Sequence, residues 1–95
     1  MPESVGQPEA VVSEQTRELP PYRVILHNDD VNTFEHVVET ILRLTPLTRD
    51  AAEQRTWEAH TQGQTVLLIT HKERAELYCE QFASRKLTVT CEPDN

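Results

Sequence analysis

Ninety-five residues suffice for one domain with a modest core, and 16 acidic against 9 basic side chains leave a formal charge of −7. That balance repels phosphate backbones and anionic lipid, so neither nucleic acid nor a membrane surface is an expected partner. No apolar run approaches the ~20 residues needed to cross a bilayer, and the first residues lack the basic and apolar parts of a secretory signal. With Cys79 and Cys91 outside any metal-ligand spacing, the expectation is a cytoplasmic protein with reduced core thiols.

Residues 1–19 carry four glutamates against one arginine, no aromatic residue and no sustained periodicity. Such a segment buries too little to offset its ordering entropy, which predicts a mobile N-terminal extension. Pro20-Pro21 closes it, and residues 20–95 form the folded domain.

Within that domain "YRVILH" reads as a strand, with Tyr22, Val24 and Leu26 on one face and Ile25 on the other. The polar turn Asn28-Asp29-Asp30 follows. Asn32 is placed to cap a first helix, with Glu35 at the capping-box position, and Phe34, Val37, Val38, Ile41 and Leu42 recur at helical spacing. Pro46 ends that helix by disfavouring helix at Thr45. Thr48 can cap a second helix that Gly63 stops. Its amphipathicity is weak, with Ala52, Thr56, Ala59 and Trp57 as the inward candidates. "QTVLLIT" is short and apolar for four consecutive residues, which suits a buried central strand. Thr70 and Glu73 form a capping box for a third helix whose stripe is Ala75, Tyr78, Cys79 and Phe82. Residues 87–92 alternate cleanly, Leu87, Val89 and Cys91 against Thr88, Thr90 and Glu92. The order strand–helix–helix–strand–helix–strand predicts an α+β domain, a three-stranded antiparallel sheet covered by three helices.

Templates for catalysis are missing. There is no Gly-rich phosphate loop, no G-x-S-x-G, no H-E-x-x-H and no paired Cys-x-x-Cys, and with two glycines no backbone cradle for phosphate exists. An enzyme is not expected, nor a cofactor. The polar candidates are the 28–30 turn and His60. Asn and Asp favour turns because their side chains bond the local backbone, and a histidine near a helix C-terminus complements the dipole. Two acids, an amide and one histidine lack the spacing of a metal site.

The runs "YRVILHNDDVNTFEHVV", "EAHTQGQ", "THKERAEL" and "LTVTCE" together resemble the ClpS family, adaptors that deliver N-end-rule substrates to an AAA+ Clp protease. The resemblance covers residues 20–92. It implies that Asn28, Asp30 and His60 hold the free α-amino group of a substrate protein, with Asp29 reinforcing the negative field. The chemistry agrees, since an α-ammonium has three donors and these groups offer acceptors. It further implies an apolar pocket lined by Phe34, Val37, Thr56, Ala59 and Leu87 for a first side chain of Leu, Phe, Tyr or Trp. Phe34 and Thr56 replace common methionines and Ala59 a common valine, which predicts a smaller, more polar wall and an altered ranking among the four. The family's unfoldase contact, with a ClpA- or ClpC-type N-terminal domain, maps to Glu73 and Glu76. A lysine usual two residues after Glu76 is here Tyr78. The extension of residues 1–19 resembles the segment that enters the unfoldase pore. The competing reading is a protein-interaction domain on the same framework without amine recognition, separable only at the site.

Overall fold

The structure, a computed structural model, describes residues 20–94; the extension expected over residues 1–19 lies outside the described residues. The elements run β1 (Tyr22–His27), α1 (Phe34–Leu44), α2 (Arg49–Gln62), β2 (Gln64–Thr70), α3 (Lys72–Ala83) and β3 (Val89–Pro93). The three strands form one antiparallel sheet in the order β2-β1-β3. The α+β fold expected from the sequence is the one observed.

The first strand, not the second, is central. β1 is hydrogen-bonded on both edges, and Val24, Ile25 and Leu26 are all buried. β2 is an edge strand in which Leu67 alone is buried and Ile69 is 54% exposed. A run of apolar residues suits burial on two faces but cannot by itself say which strand acquires two neighbours. A register shift between Val24 and Ile25 in the β1–β2 ladder adds a further break to simple alternation.

One face of the sheet receives the helices. Val24, Leu26 and Leu67 meet Val38 and Ile41 of α1, Ala52 and Ala59 of α2, and Ala75, Tyr78 and Phe82 of α3 in a continuous core. α2 covers this core with small residues, Ala52, Thr56 and Ala59, while Trp57 points outward with 59% of its surface exposed. The inward expectation for Trp57 therefore fails, because it lies about 100° round the helix from Thr56. Cys79 and Cys91 are free and half-buried. Burial, and then contact with the Cys91 thiol and the charge of Glu76, pushes the Cys79 thiol up to about 12, so it carries little thiolate.

Two helix starts differ from the sequence reading by one residue. Thr33 caps α1, its hydroxyl accepting from the His36 N–H at 3.1 Å. Asn32 is drawn away by other partners, described below. His71 caps α3, its Nδ1 accepting from the Arg74 N–H at 3.4 Å. Thr70 cannot do so because it is still paired with Tyr22 in the sheet. Thr48 caps α2 as expected, accepting from the Ala51 N–H at 3.2 Å.

Candidate functional site

The end of β1 and the end of α2 meet because of strand pairing. His27 is opposite Gln64 in the β1–β2 ladder, so the residue after His27 lies beside the residue before Gln64. That residue is Gly63, with a left-handed backbone at φ 97°, which turns the chain sharply out of α2 into β2. The Gly63 N–H donates to the Ala59 carbonyl at 2.9 Å, closing the helix. The Gly63 carbonyl accepts from the Asn28 N–H, also at 2.9 Å. His60, in the last turn of α2, is thereby carried to the 28–30 turn across a sequence gap of thirty residues.

Together these elements enclose an open cavity of about 480 Å³, within the range of small-ligand sites. Its lining includes Asn28, Asp29, Asp30, Phe34, Val37, Thr56, Ala59 and His60. Thus eight of the nine side chains expected at the amine and pocket positions border one space. Leu87 is the exception. It is 4% exposed and belongs to the core, and it does not border the cavity. The strand beginning at Val89 leaves Leu87 in the connection behind α3, where its N–H bonds the Phe82 carbonyl at 3.1 Å. Leu26 of β1 supplies an aliphatic wall that the sequence reading did not assign, and His27, Asn32 and Trp57 complete the lining.

The three polar residues of the turn have different duties. Asp29 is occupied: one carboxylate oxygen accepts from the Val31 N–H at 2.9 Å and the Asn32 N–H at 2.8 Å. The other accepts from the Asn32 Nδ2 at 3.0 Å. Burial works to raise its pKa. The bonds from Asn32 and Val31, with His36 nearby, outweigh that effect and hold the carboxyl below its ordinary value. Asp29 therefore shapes the turn. Asn28 and Asp30 are exposed, and among the described residues their side chains, like that of His60, form no hydrogen bond. They stand as acceptors facing solvent at the mouth of the cavity.

Asn32 ties this turn to a distant one. Its Nδ2 also donates to the Lys86 carbonyl at 2.8 Å, and the His36 ring contacts the Arg85 carbonyl through Nε2 at 3.0 Å. Lys86 holds a left-handed backbone, φ 71°, which aims that carbonyl. Sequence spacing presented Asn32 as a helix cap, and nothing local marks its partner fifty-four residues away.

The wall is less polar than its composition suggests. The Thr56 hydroxyl donates to the Ala52 carbonyl at 2.7 Å, so it makes no demand on a guest. Thr56 and Ala59 are 5% and 3% exposed, a shallow, small-residue wall, while Phe34 at the rim is 42% exposed. Glu73 and Glu76 lie exposed on the first turns of α3, away from the cavity lining. Tyr78 is buried, with the Arg74 guanidinium 5.5 Å from its ring centroid. It is a core residue and does not stand in for a surface lysine. Among the described residues no group of three or more His, Cys, Asp and Glu side chains is placed to hold a metal ion. No helix among them is long and apolar enough to cross a membrane.

Comparison with known proteins gives consistent results. Residues 17–90 match the family described as ATP-dependent Clp protease adaptor protein ClpS. The ClpS adapter of Synechococcus elongatus is 39% identical over 94 residues, spanning 98% of this chain and 97% of its own. A chloroplastic adapter of Arabidopsis thaliana is 41% identical over 76 residues, covering 79% of this chain and 48% of that relative. Among solved structures, Agrobacterium tumefaciens ClpS2 bound to L-phenylalaninamide aligns with a TM-score of 0.74 at 26% identity. The match covers 79% of this chain and 98% of that one.

Proposed function

Because the chain belongs to the ClpS family of ATP-dependent Clp protease adaptor proteins, we propose that its cavity captures the N-terminal residue of other proteins. The free α-ammonium sits against Asn28, Asp30 and His60, and a bulky apolar first side chain enters between Phe34, Val37, Thr56 and Ala59. The captured protein is then passed to an AAA+ Clp unfoldase through the surface that carries Glu73 and Glu76.

The observation that carries this reading is the pairing of two unlike surfaces in one space. Exposed acceptors border the mouth, and a wall of Leu26, Val37, Thr56 and Ala59 lies beside them. An ammonium donates three hydrogen bonds, and an amide oxygen, a carboxylate and a neutral imidazole nitrogen each accept one. Bonds to a charged group contribute about 1.5–3 kcal/mol each. Burying a leucine or phenylalanine side chain contributes about 1.5–3 kcal/mol. Neither half alone discriminates enough; their sum selects a chain end with a bulky first residue. The relative bound to L-phenylalaninamide supports the reading, since that ligand has a free amine, an aromatic side chain and a neutral carboxamide where a chain would continue.

Asp29 enters this proposal in a different role from its neighbours. With three bonds already accepted, it holds the loop and adds negative field without replacing a bond to the guest. The short wall of Thr56 and Ala59 beneath an aromatic rim at Phe34 favours a changed ranking among Leu, Phe, Tyr and Trp relative to relatives with methionines there.

Titration with a peptide beginning in free Leu or Phe, its N-acetylated twin and a chelator control tests the proposal. Acetylation removes the charge and leaves one N–H, so affinity should fall by about 100-fold or more, the loss of two charge-assisted bonds. Chelation should change nothing. Equal affinity for the two peptides would instead identify an interaction domain without amine recognition, and chelator sensitivity a metal-dependent site.

A further inference from the structure

Trp57 is the largest side chain at the mouth of the cavity, and amine capture makes no use of it. Trp57 borders the cavity and is 59% exposed. It lies 5.7 Å from the His60 ring, centroid to centroid, with the planes tilted by 38°. His60 and Trp57 are one turn apart on α2 and so share a face. Thr56 and Ala59, 5% and 3% exposed, form the inner face of the same helix. The helix thus offers a guest three things in sequence: a buried wall, an imidazole acceptor, and beyond that an open indole.

We propose that Trp57 forms a second subsite, which takes an aromatic side chain at the second position of the bound chain end. The inference rests on the amine-capture reading and adds a specificity determinant to it. An ammonium held at His60 places the first Cα at the mouth, and the second Cα follows 3.8 Å further out. In an extended chain successive side chains point to opposite sides. With the first directed to the Thr56–Ala59 wall, the second is directed outward along the rim, where the indole lies. Phe34, 42% exposed, borders the same mouth and adds a second ring. Aromatic pairs in tilted or offset contact gain beyond simple burial, and an indole in tilted contact with the His60 ring leaves most of its surface open to a guest.

Three peptides identical except at residue two test this: Leu-Ala, Leu-Phe and Leu-Arg, each with a free amine, together with acetylated Leu-Phe. Affinities are measured for the full chain and for its Trp57→Ala and Trp57→Phe variants. The expected result is Leu-Phe about 3- to 10-fold tighter than Leu-Ala, a ratio near one in Trp57→Ala, and an intermediate ratio in Trp57→Phe. A general weakening of all peptides in Trp57→Ala with the Phe/Ala ratio preserved would mean that the ring only orients His60, and would overturn the subsite. A ratio of one in the unaltered chain overturns it too, as does a gain for Leu-Arg without one for Leu-Phe. The acetylated arm separates the two levels. If acetylated Leu-Phe binds as well as its free twin, the amine reading has failed and the subsite with it. If acetylation abolishes binding and the ratio is flat, the subsite alone has failed.

Discussion

The two sides of the cavity are built by opposite means. The 28–32 loop is held by polar bonds: Asp29 accepts three of them, and Asn32 reaches both Asp29 and the Lys86 carbonyl. The α2 side is held by packing. Ala52, Thr56 and Ala59 are buried against the core, and one left-handed glycine closes the helix. A loop fixed by a few directional bonds can be disarranged by losing one amide, whereas a helix face loses position only by changing volume or breaking its end. The comparison teaches where each half of the proposed recognition is vulnerable.

The largest expected effect comes from the acceptors themselves. Asp30→Ala and His60→Ala should each reduce affinity for a free-amine Leu peptide by about 10- to 100-fold, the loss of one charge-assisted bond. Both residues are exposed, so thermal midpoints should hardly move. Calorimetric titration alongside a melting curve checks the separation; parallel losses of binding and stability would show that these residues act through the fold.

His60 and Asp29 give the next effects, and by different routes. A neutral His60 imidazole can accept a bond from the ammonium, so the test at this position is whether an acceptor is needed there. Asp29 responds to acidity through stability, and only at low pH. Its folded-state pKa is depressed, so its stabilisation is fully present above the unfolded value, about 3.9, and is lost only as pH falls through the lower folded value. A His60→Gln variant, which keeps an amide oxygen as acceptor, should retain more affinity for a free-amine Leu peptide than His60→Ala does. Equal losses in the two variants would show that no acceptor is used at position 60.

The loop's bracing predicts a smaller and more diagnostic loss. Asn32→Ala removes two hydrogen bonds from a half-buried position, at about 0.5–1.5 kcal/mol each. Affinity should fall several-fold although Asn32 is not assigned to the guest. Combined with Asp29→Ala, the losses should be non-additive, because both act on one network. On the other side, Gly63→Ala meets no steric obstacle, since nothing lies within 4 Å of an added Cβ. The left-handed backbone alone should cost about 1–2 kcal/mol, read from denaturant unfolding. Smallest of all, Thr56→Val should change affinity less than about twofold, because the hydroxyl is engaged by the Ala52 carbonyl and not by the cavity.

The same contrast separates what could be read along the chain from what could not. The α2 side was legible: Thr48 caps the helix, Gly63 ends it, and Ala52, Thr56 and Ala59 recur inward, all signals confined to a few neighbouring residues. Trp57 was misplaced because a weakly amphipathic helix gives little angular preference, and a large ring is ordinarily worth burying. The acidic turn was legible as polar and as a turn, and only the family resemblance set Asp29 apart from Asp30. Asp29 and Asp30 are chemically alike, and only the positions of the Val31 and Asn32 N–H groups make one structural and leave the other open.

By itself the sequence determined the number, kind and order of the elements, since these follow from periodicities and breakers that act over one or two turns of chain. It also carried the family pattern that links the 28–30 turn with His60. Only the tertiary structure decided that β1 is the inner strand, that Leu87 packs in the core while Leu26 faces the cavity, and that Asn32 reaches Lys86. Those outcomes depend on which segments become neighbours across the sheet, and hydrogen bonds or burial between residues dozens of positions apart leave no periodic trace in the chain that makes them.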